Sequence, residues 1–457
     1  TDYPIFLPFM KYSDSDNKRK EIYQQFLNRG YPKNKNILFS LIKKRHELSN
    51  ILGHPNYASF ATKDAMIKNV ENAENFIEKI SEEAKQRSNI DYKKLLKQLK
   101  LISPEASTVN SWQKSHLEQL LKKQEYNLDS KIIREYLPYE GVKNGIFDLV
   151  KYLFDLDITE WETNVWDSSV TAHKLISSNG DVLGYFYLDM HPRKGKYKHA
   201  AHFGINLGIK SKQIPVSALI CNFPGGNHEL DNSGNPLDHG LMEHNQVETF
   251  LHEFGHLLHS LIGGHHEWSS LSGISTERDF VEAPSQLLEE WAWNYESLKQ
   301  FAINKDGNVI PRELVDKLKK SRNFGKGTHT RNQMFYAALS LKYYSTDPSD
   351  LDLDETLINL QKRYSPFQYM PNTYFYSNFG HLYGYSARYY TYMWSKVIAA
   401  DLFSIFEDQG VMNQNISKKY MDKVLSVGGS KDANDIVIDF LGRPFNYDAF
   451  IKNLNAE

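Results

Sequence analysis

The sequence predicts a mainly α-helical fold carrying one small β-sheet. Three observations predict it. Apolar residues recur at helical spacing through most of the first 160 residues and again after residue 245. Residues 166–223 break that pattern with short extended runs around an Asn-Gly turn. No repeat, low-complexity linker or composition break interrupts the 457 residues, so one domain over 1–457 is expected.

The elements follow in order. In SDNKRKEIYQQFLNRG, Ser15 and Asp16 are cap candidates before an apolar face of Ile22 and Phe26, and Gly30 is a stop. Asn36 to Leu52 repeats apolar residues at Ile37, Leu38, Leu41, Ile42 and Leu48, then meets Gly53 and Pro55. Its lysines read as a solvated helix face. Ala73 to Arg87 and the stretch from Trp112 to Lys123 continue the helical pattern. VTAHKLISSNGDVLGYFYLDM is two strands around Asn179-Gly180, and Ile214 to Phe223 is a third strand. Asn232 to Gly240 reads as a loop. The helices carrying the histidine motif described next span about 245–300, and 301–457 reads as helix again.

Composition excludes several roles. Hydrophobic residues are 40% and charged residues 24%, ordinary for a globular chain. A formal net charge of -2 without a basic stripe argues against nucleic acid as partner. No apolar run approaches the roughly 18 residues of a membrane span. Cys221 is the single cysteine, so no intrachain disulfide forms, which suits a reducing compartment. The opening TDYPIFLPFM has neither a charged n-region nor an apolar h-region. The chain is therefore expected in the cytoplasm, or in an organelle matrix if an upstream targeting segment was removed.

The chemistry sits in TFLHEFGHLLHSL, Thr249 to Leu261. On a helix, residues i and i+4 share one face, so His252 and His256 can aim ring nitrogens at one metal ion. Glu253 borders that face and can take a proton from a metal-activated water. In a chain with 17 His, HExxH arises by chance on the order of 4% of the time. A third ligand is needed to decide. Catalytic zinc wants three protein ligands and an open position. The candidates lie in SGISTERDFVEAPSQLLEEWAW: Glu277, Asp279, Glu282, Glu289 and Glu290. Most are expected to be solvated or capping. Thr276 with Asp279 looks like a helix start, which would put Pro284 inside the helix as a kink. Spacing alone does not choose the ligand. Glu248 and Glu277 are the candidates for orienting a ligand histidine. His259 is expected to pack or hydrogen-bond rather than bind metal, and His199, His202, His244, His265 and His266 also have ordinary readings.

The stretch HEFGHLLHS followed by SGISTERDFVEAPSQLLEEW resembles the thimet oligopeptidase family of zinc metallopeptidases, which includes oligopeptidase A and mitochondrial intermediate peptidase. DMHPRKGKYKHAAHFGI, PVSALICNFPGG, HNQVETFLHEFGH and the opening YPIFLPFM with RKEIYQQF resemble further segments of its catalytic half. The resemblance implies a helical zincin-type catalytic domain with the small sheet near the active site. It implies one Zn2+ per chain, held by His252, His256 and Glu282, with Glu253 as general base.

A donor is also wanted for the oxyanion, because a group fixed in a dry cleft needs no reorganisation. The tyrosine-rich FGHLYGYSARYYTYMWS, Phe379 to Ser395, is the candidate, although 28 Tyr make a core cluster unremarkable. The resemblance assigns His381, Tyr385 and Tyr392 to this role and ranks Tyr389 lower. Tyr385 and Tyr392 stand seven residues apart, about two turns of one helix face. HLYGY is one residue shorter than in many relatives and closer to the mitochondrial intermediate peptidase type.

The function this implies is zinc-dependent hydrolysis of internal bonds in short unstructured peptides. The strand Ile214 to Phe223 is expected to pair with an extended peptide. The family's chains carry a helical segment upstream of this one's start. If that segment is absent here, one channel wall is missing or is supplied by a separate polypeptide. The alternative is a peptide-binding scaffold without turnover; intact His252, Glu253, His256 and Glu282 argue against it. A different zinc hydrolase sharing only HExxH is disfavoured by DFVEAPSQ.

Overall fold

A computed structural model describes residues 3–126, 130–226 and 240–456. It is mainly helical with one five-stranded sheet, as expected. The predicted loop from Asn232 to Gly240 lies, except for its last residue, outside the described residues. The chain divides into two compact units, each assembled from separated stretches of sequence. One comprises Thr1–Asn127, Lys320–Trp394 and Ile451–Glu457; the other comprises Leu128–Lys319 and Ser395–Phe450. Interleaving of this kind leaves no linker for composition to reveal.

The first unit is helical. Its second helix, Asp16–Leu27, starts where Ser15 accepts from the backbone N–H of Lys18. The apolar repeat at 37–48 forms the helix Lys33–Ile51, in which Leu38 and Ile42 are buried while Ile37 and Leu48 stay exposed. The run from Ala73 is two helices, Val70–Glu83 and Lys85–Ile102, meeting at Ala84. Both pack on the long helix Lys326–Ser345. That helix begins on Asp91, whose Oδ2 accepts from the backbone N–H groups of Gly327 and Thr328 at 2.9 and 3.3 Å. Two donors left over at a helix start are thereby satisfied by a buried carboxylate.

The second unit holds the sheet. Its strands are β1 Leu156–Glu160, β2 Thr171–Ser177, β3 Val182–Asp189, β4 Ala201–Asn206 and β5 Val216–Ile220. The sheet therefore starts inside the stretch read as wholly helical. The hairpin β2–β3 is antiparallel and turns at Gly180, whose φ of +86° suits glycine. The spatial order is β1-β2-β3-β5-β4, with β3 and β5 parallel and β4 antiparallel to β5. The strand predicted at Ile214 to Phe223 is thus interior, with both edges already paired. The edge beside it is β4. Strand addition needs a free row of N–H and C=O groups, so β5 does not pair with a peptide as expected.

One helix, His244–Ile262, lies against this sheet and is buried along most of its length. It opens on a capping box: the Glu243 side chain accepts from the Gln246 backbone N–H while Gln246 Oε1 accepts from the Glu243 N–H at 2.8 Å. Phe186 of β3 meets Phe254 edge-on, and Phe250 meets the same ring edge-on in the same core. The apolar face required by the periodicity is thereby placed on the sheet, and the polar HExxH residues are held at fixed positions along it.

Candidate metal centre

His252 and His256 stand on the buried helix one turn apart, and Glu282 faces both. Glu282 Oε2 is 3.2 Å from His252 Nε2 and 3.2 Å from His256 Nε2. Among the described residues these three form the one group of histidine, cysteine and carboxylate side chains gathered closely enough for a metal. Zinc bonds of about 2.0–2.2 Å in a tetrahedron place neighbouring donors roughly 3.3 Å apart. The observed spacing and the His-His-Glu chemistry fit that ion.

What brings Glu282 there is a glycine. Gly255, between the two histidines, lies so close to the next helix that a Cβ would sit 2.6 Å from Ser285 Cα. Only glycine allows this approach. The helix Glu282–Leu288 begins at Glu282 itself, and Ser285 Oγ donates to the Glu282 carbonyl at 2.9 Å. Its start corrects the expected one. Thr276 and Asp279 do not open a helix; Thr276 Oγ1 donates to Glu277 instead. Pro284 falls in the first turn, where a backbone N–H would have no intrahelical acceptor, so it does not act as an interior kink.

Two negative charges flank the histidines. His252 Nδ1 is 2.7 Å from Glu289 Oε1. Burial alone would lower the His252 pKa, but the hydrogen bonds to Glu282 and Glu289 outweigh it and hold it well above the usual value. Burial likewise pushes Glu282 up, and the neighbouring His256 and His252 pull it well below the carboxylate range. His256 Nδ1 has no hydrogen-bond partner among the described residues.

Glu253 is 7% exposed and points from the same helix into this region. Its burial raises its pKa, against the opposing pull of His252 and His256. The backbone N–H of His202, on β4, also pulls it down.

Glu289 was not singled out as the residue that orients a histidine; Glu248 and Glu277 were. Glu248 accepts from Trp293 Nε1 at 3.0 Å, and Glu277 accepts from the Ala433 N–H that opens the helix Ala433–Leu441. Glu289 opens the 3-10 turn Glu289–Trp293 that follows the Glu282 helix, so it lies two turns beyond Glu282. That spacing is the sequence signal that could have found it. The other histidines take the ordinary roles expected. His244, His265 and His266 bond the carbonyls of Ala292, Leu183 and Ser426. His202 bonds Ser217 Oγ, and its pKa is lowered to about 3 by burial. His259 is buried, and its pKa is likewise held down at about 3 by that burial.

His381, Tyr385 and Tyr392 belong to the first unit. They form one ring cluster there. The Tyr385 and Tyr392 centroids are 5.0 Å apart, and His381 lies 5.8 and 5.7 Å from them. One continuous helix face is not the reason. The short helix His381–Gly384 ends before Tyr385, Ser386 takes a positive φ of +53°, and a new helix, Thr391–Gln409, carries Tyr392. The chain folds back and brings the rings together. Tyr389 is buried against the same cluster and donates to Gln333 Oε1 at 3.1 Å.

Comparison with known proteins gives concordant results. The profile described as "Peptidase family M3" matches residues 9–456. The chain is 31% identical over 474 residues to a thimet-like oligopeptidase of Dictyostelium discoideum, covering 99% of this chain and 69% of that protein. It is 31% identical over 477 residues to oligopeptidase A of Escherichia coli (strain K12), covering 99% and 68%. The solved structure of "PZ peptidase A with inhibitor 2" has the same fold, with a TM-score of 0.61 at 14% identity over 98% of this chain and 69% of that one. The chain spans about two thirds of the length of the relatives it matches. Among the described residues, no helix is long and apolar enough to cross a membrane.

Proposed function

The chain belongs to peptidase family M3, and from that membership we propose a zinc-dependent oligopeptidase that hydrolyses internal bonds of short unstructured peptides. The observation that carries the reading is the single carboxylate oxygen, Glu282 Oε2, at 3.2 Å from both histidine Nε2 atoms. His252, His256 and Glu282 would hold Zn2+, which when bound supplies a Lewis acid that acidifies water and polarises a carbonyl.

The remaining chemistry belongs to the chain's own side chains. Glu253 accepts a proton from the attacking water and returns it to the leaving nitrogen. Its burial suits this work, because a carboxylate raised above its ordinary value is a stronger base. Glu289 holds the His252 ring by Nδ1, leaving Nε2 for the ion. The extended peptide is assigned to the edge strand β4 in place of β5, since β4 bonds β5 on one side only among the described strands.

Tyr385 and Tyr392 are assigned to stabilising the charge that develops on the carbonyl oxygen, with His381 beside them. That assignment draws on the sequence resemblance and on the shared ring cluster. Short peptides as substrates, a companion segment in cis or in trans that encloses them, and a cytoplasmic or organellar location are parts of the same proposal.

The test is cleavage of a quenched fluorescent peptide of about ten residues by the zinc-loaded chain, beside Glu253→Gln. Cleavage by the wild type, lost in a variant that keeps its zinc, is the expected result. A folded, zinc-loaded wild type that leaves the peptide intact would overturn turnover by this chain alone.

A further inference from the structure

Arg45 lies on the helix Lys33–Ile51, far in sequence from the tyrosine cluster. Its guanidinium nevertheless reaches the segment that carries His381 and Tyr385. Nη1 donates to the Leu382 carbonyl at 3.1 Å and to Tyr344 Oη at 2.9 Å. Nη2 donates to the Tyr383 carbonyl at 2.8 Å. Tyr344 Oη in turn donates to the Leu382 carbonyl at 2.5 Å. The guanidinium also lies over the rings of Tyr57, Tyr344 and Tyr383, at 5.0, 5.3 and 5.9 Å from their centroids.

The geometry has a physical reason. The helix His381–Gly384 is four residues long. A helix that short cannot satisfy its own last carbonyls. The backbone N–H groups of Tyr385 and Ser386 both turn back to the His381 carbonyl. Leu382 and Tyr383 direct theirs at Arg45, and a cation at a helix C-terminus also meets the negative end of the local dipoles. A forked guanidinium can hold two successive carbonyls at once; an ammonium holds them as a point charge. Glycine at 380 and 384 adds nothing to the hold, since a Cβ at either would meet open space. The turn is kept in place from outside itself.

We propose that Arg45 is a positioning residue that fixes the pose of Tyr385 by clamping the Leu382 and Tyr383 carbonyls. The inference rests on the reading that Tyr385 acts in peptide hydrolysis. Tyr385 is the residue directly after the clamped helix, so a turn released at Leu382 and Tyr383 displaces its hydroxyl first. The metal ligands stand on other elements and keep their own contacts.

The test uses the full, zinc-loaded chain and the ten-residue fluorogenic peptide. Arg45→Met keeps an apolar stem over Tyr57 and removes both carbonyl contacts. It is expected to lower kcat about 10-fold or more with KM within about 2-fold, the pattern of an interaction made in the transition state. Zinc content should be unchanged. Arg45→Lys, which keeps the charge and serves as the better-folded variant, should fall between. In a Tyr385→Phe background, Arg45→Met should cost less than about 2-fold, because two residues acting as one unit are not additive. An unchanged kcat in Arg45→Met, or the same loss in both backgrounds, would overturn the proposal. If Tyr385→Phe itself leaves kcat unchanged, the reading of Tyr385 fails, and the role given to Arg45 falls with it.

Discussion

Glu289 Oε1 lies 2.7 Å from His252 Nδ1, on the side of the ring away from Glu282. The two carboxylates grip one imidazole by its two nitrogens. That arrangement fixes the ring's orientation and would present Nε2 to a metal ion. Glu289→Gln keeps the shape and removes the charge. Zinc affinity should fall roughly 10- to 100-fold, read by competition with a chelator of known affinity. An unchanged affinity would remove Glu289 from this role.

Gly255 gives a second expectation. An alanine there would drive its Cβ to 2.6 Å from Ser285 Cα, a backbone atom that cannot swing away. The Glu282 helix must shift. Overpacking of this kind costs about 1–3 kcal/mol, and it moves the third ligand as well. Gly255→Ala should therefore lower both the melting temperature and the zinc affinity. A variant that melts lower but binds zinc as the wild type does would separate the packing from the ligand.

Tyr392 should be felt in turnover and little in binding. Tyr392→Phe removes one hydroxyl and keeps the ring that packs at 5.0 Å from Tyr385. A lower kcat with a smaller change in KM is expected from steady-state kinetics on the fluorogenic peptide. Equal kcat in both proteins would end the oxyanion assignment.

Asp189 sets a pH dependence away from the candidate metal centre. It closes β3 and receives Arg193 Nη1 and Nη2 at 2.5 and 2.8 Å, Trp166 Nε1 at 2.9 Å and Lys196 Nζ at 2.9 Å. Burial alone would raise its pKa; the donors outweigh it and hold it at about 2. A depressed carboxyl stabilises the fold fully above its unfolded value of about 3.9, and loses that contribution as pH falls toward the folded value. The stability advantage of wild type over Asp189→Asn should be full near pH 6 and shrink between about pH 4 and pH 2. Denaturant midpoints across that range give the answer. A constant advantage would mean that the charge on Asp189 does not contribute.

Much of the fold is visible in local patterns. The Asn179-Gly180 hairpin, the helix at Asp16–Leu27 and the His244–Ile262 helix each follow from periodicity and turn residues that act within a few positions. Expectations went astray where a distant partner decided the outcome. β5 is interior because β4 returns antiparallel along its far edge. Glu277 caps a helix more than 150 residues downstream, at Ala433, and Glu289 holds His252. Glu277 and Glu289 are carboxylates in one short stretch, alike in sequence and separated only by what folds against them.

The pairing of His252 with His256 was determined by the sequence itself, because i and i+4 share a face on any helix. So was the candidate base beside them. The tertiary structure decided the rest. Glu282 meets the histidines because Gly255 lets a second helix approach. Tyr385 and Tyr392 meet because the chain turns at Ser386. Arg45 reaches Leu382 from a helix more than 300 residues earlier. Helical spacing is a property of one backbone segment, whereas close approach and charge pairing depend on two, and only packing chooses the second.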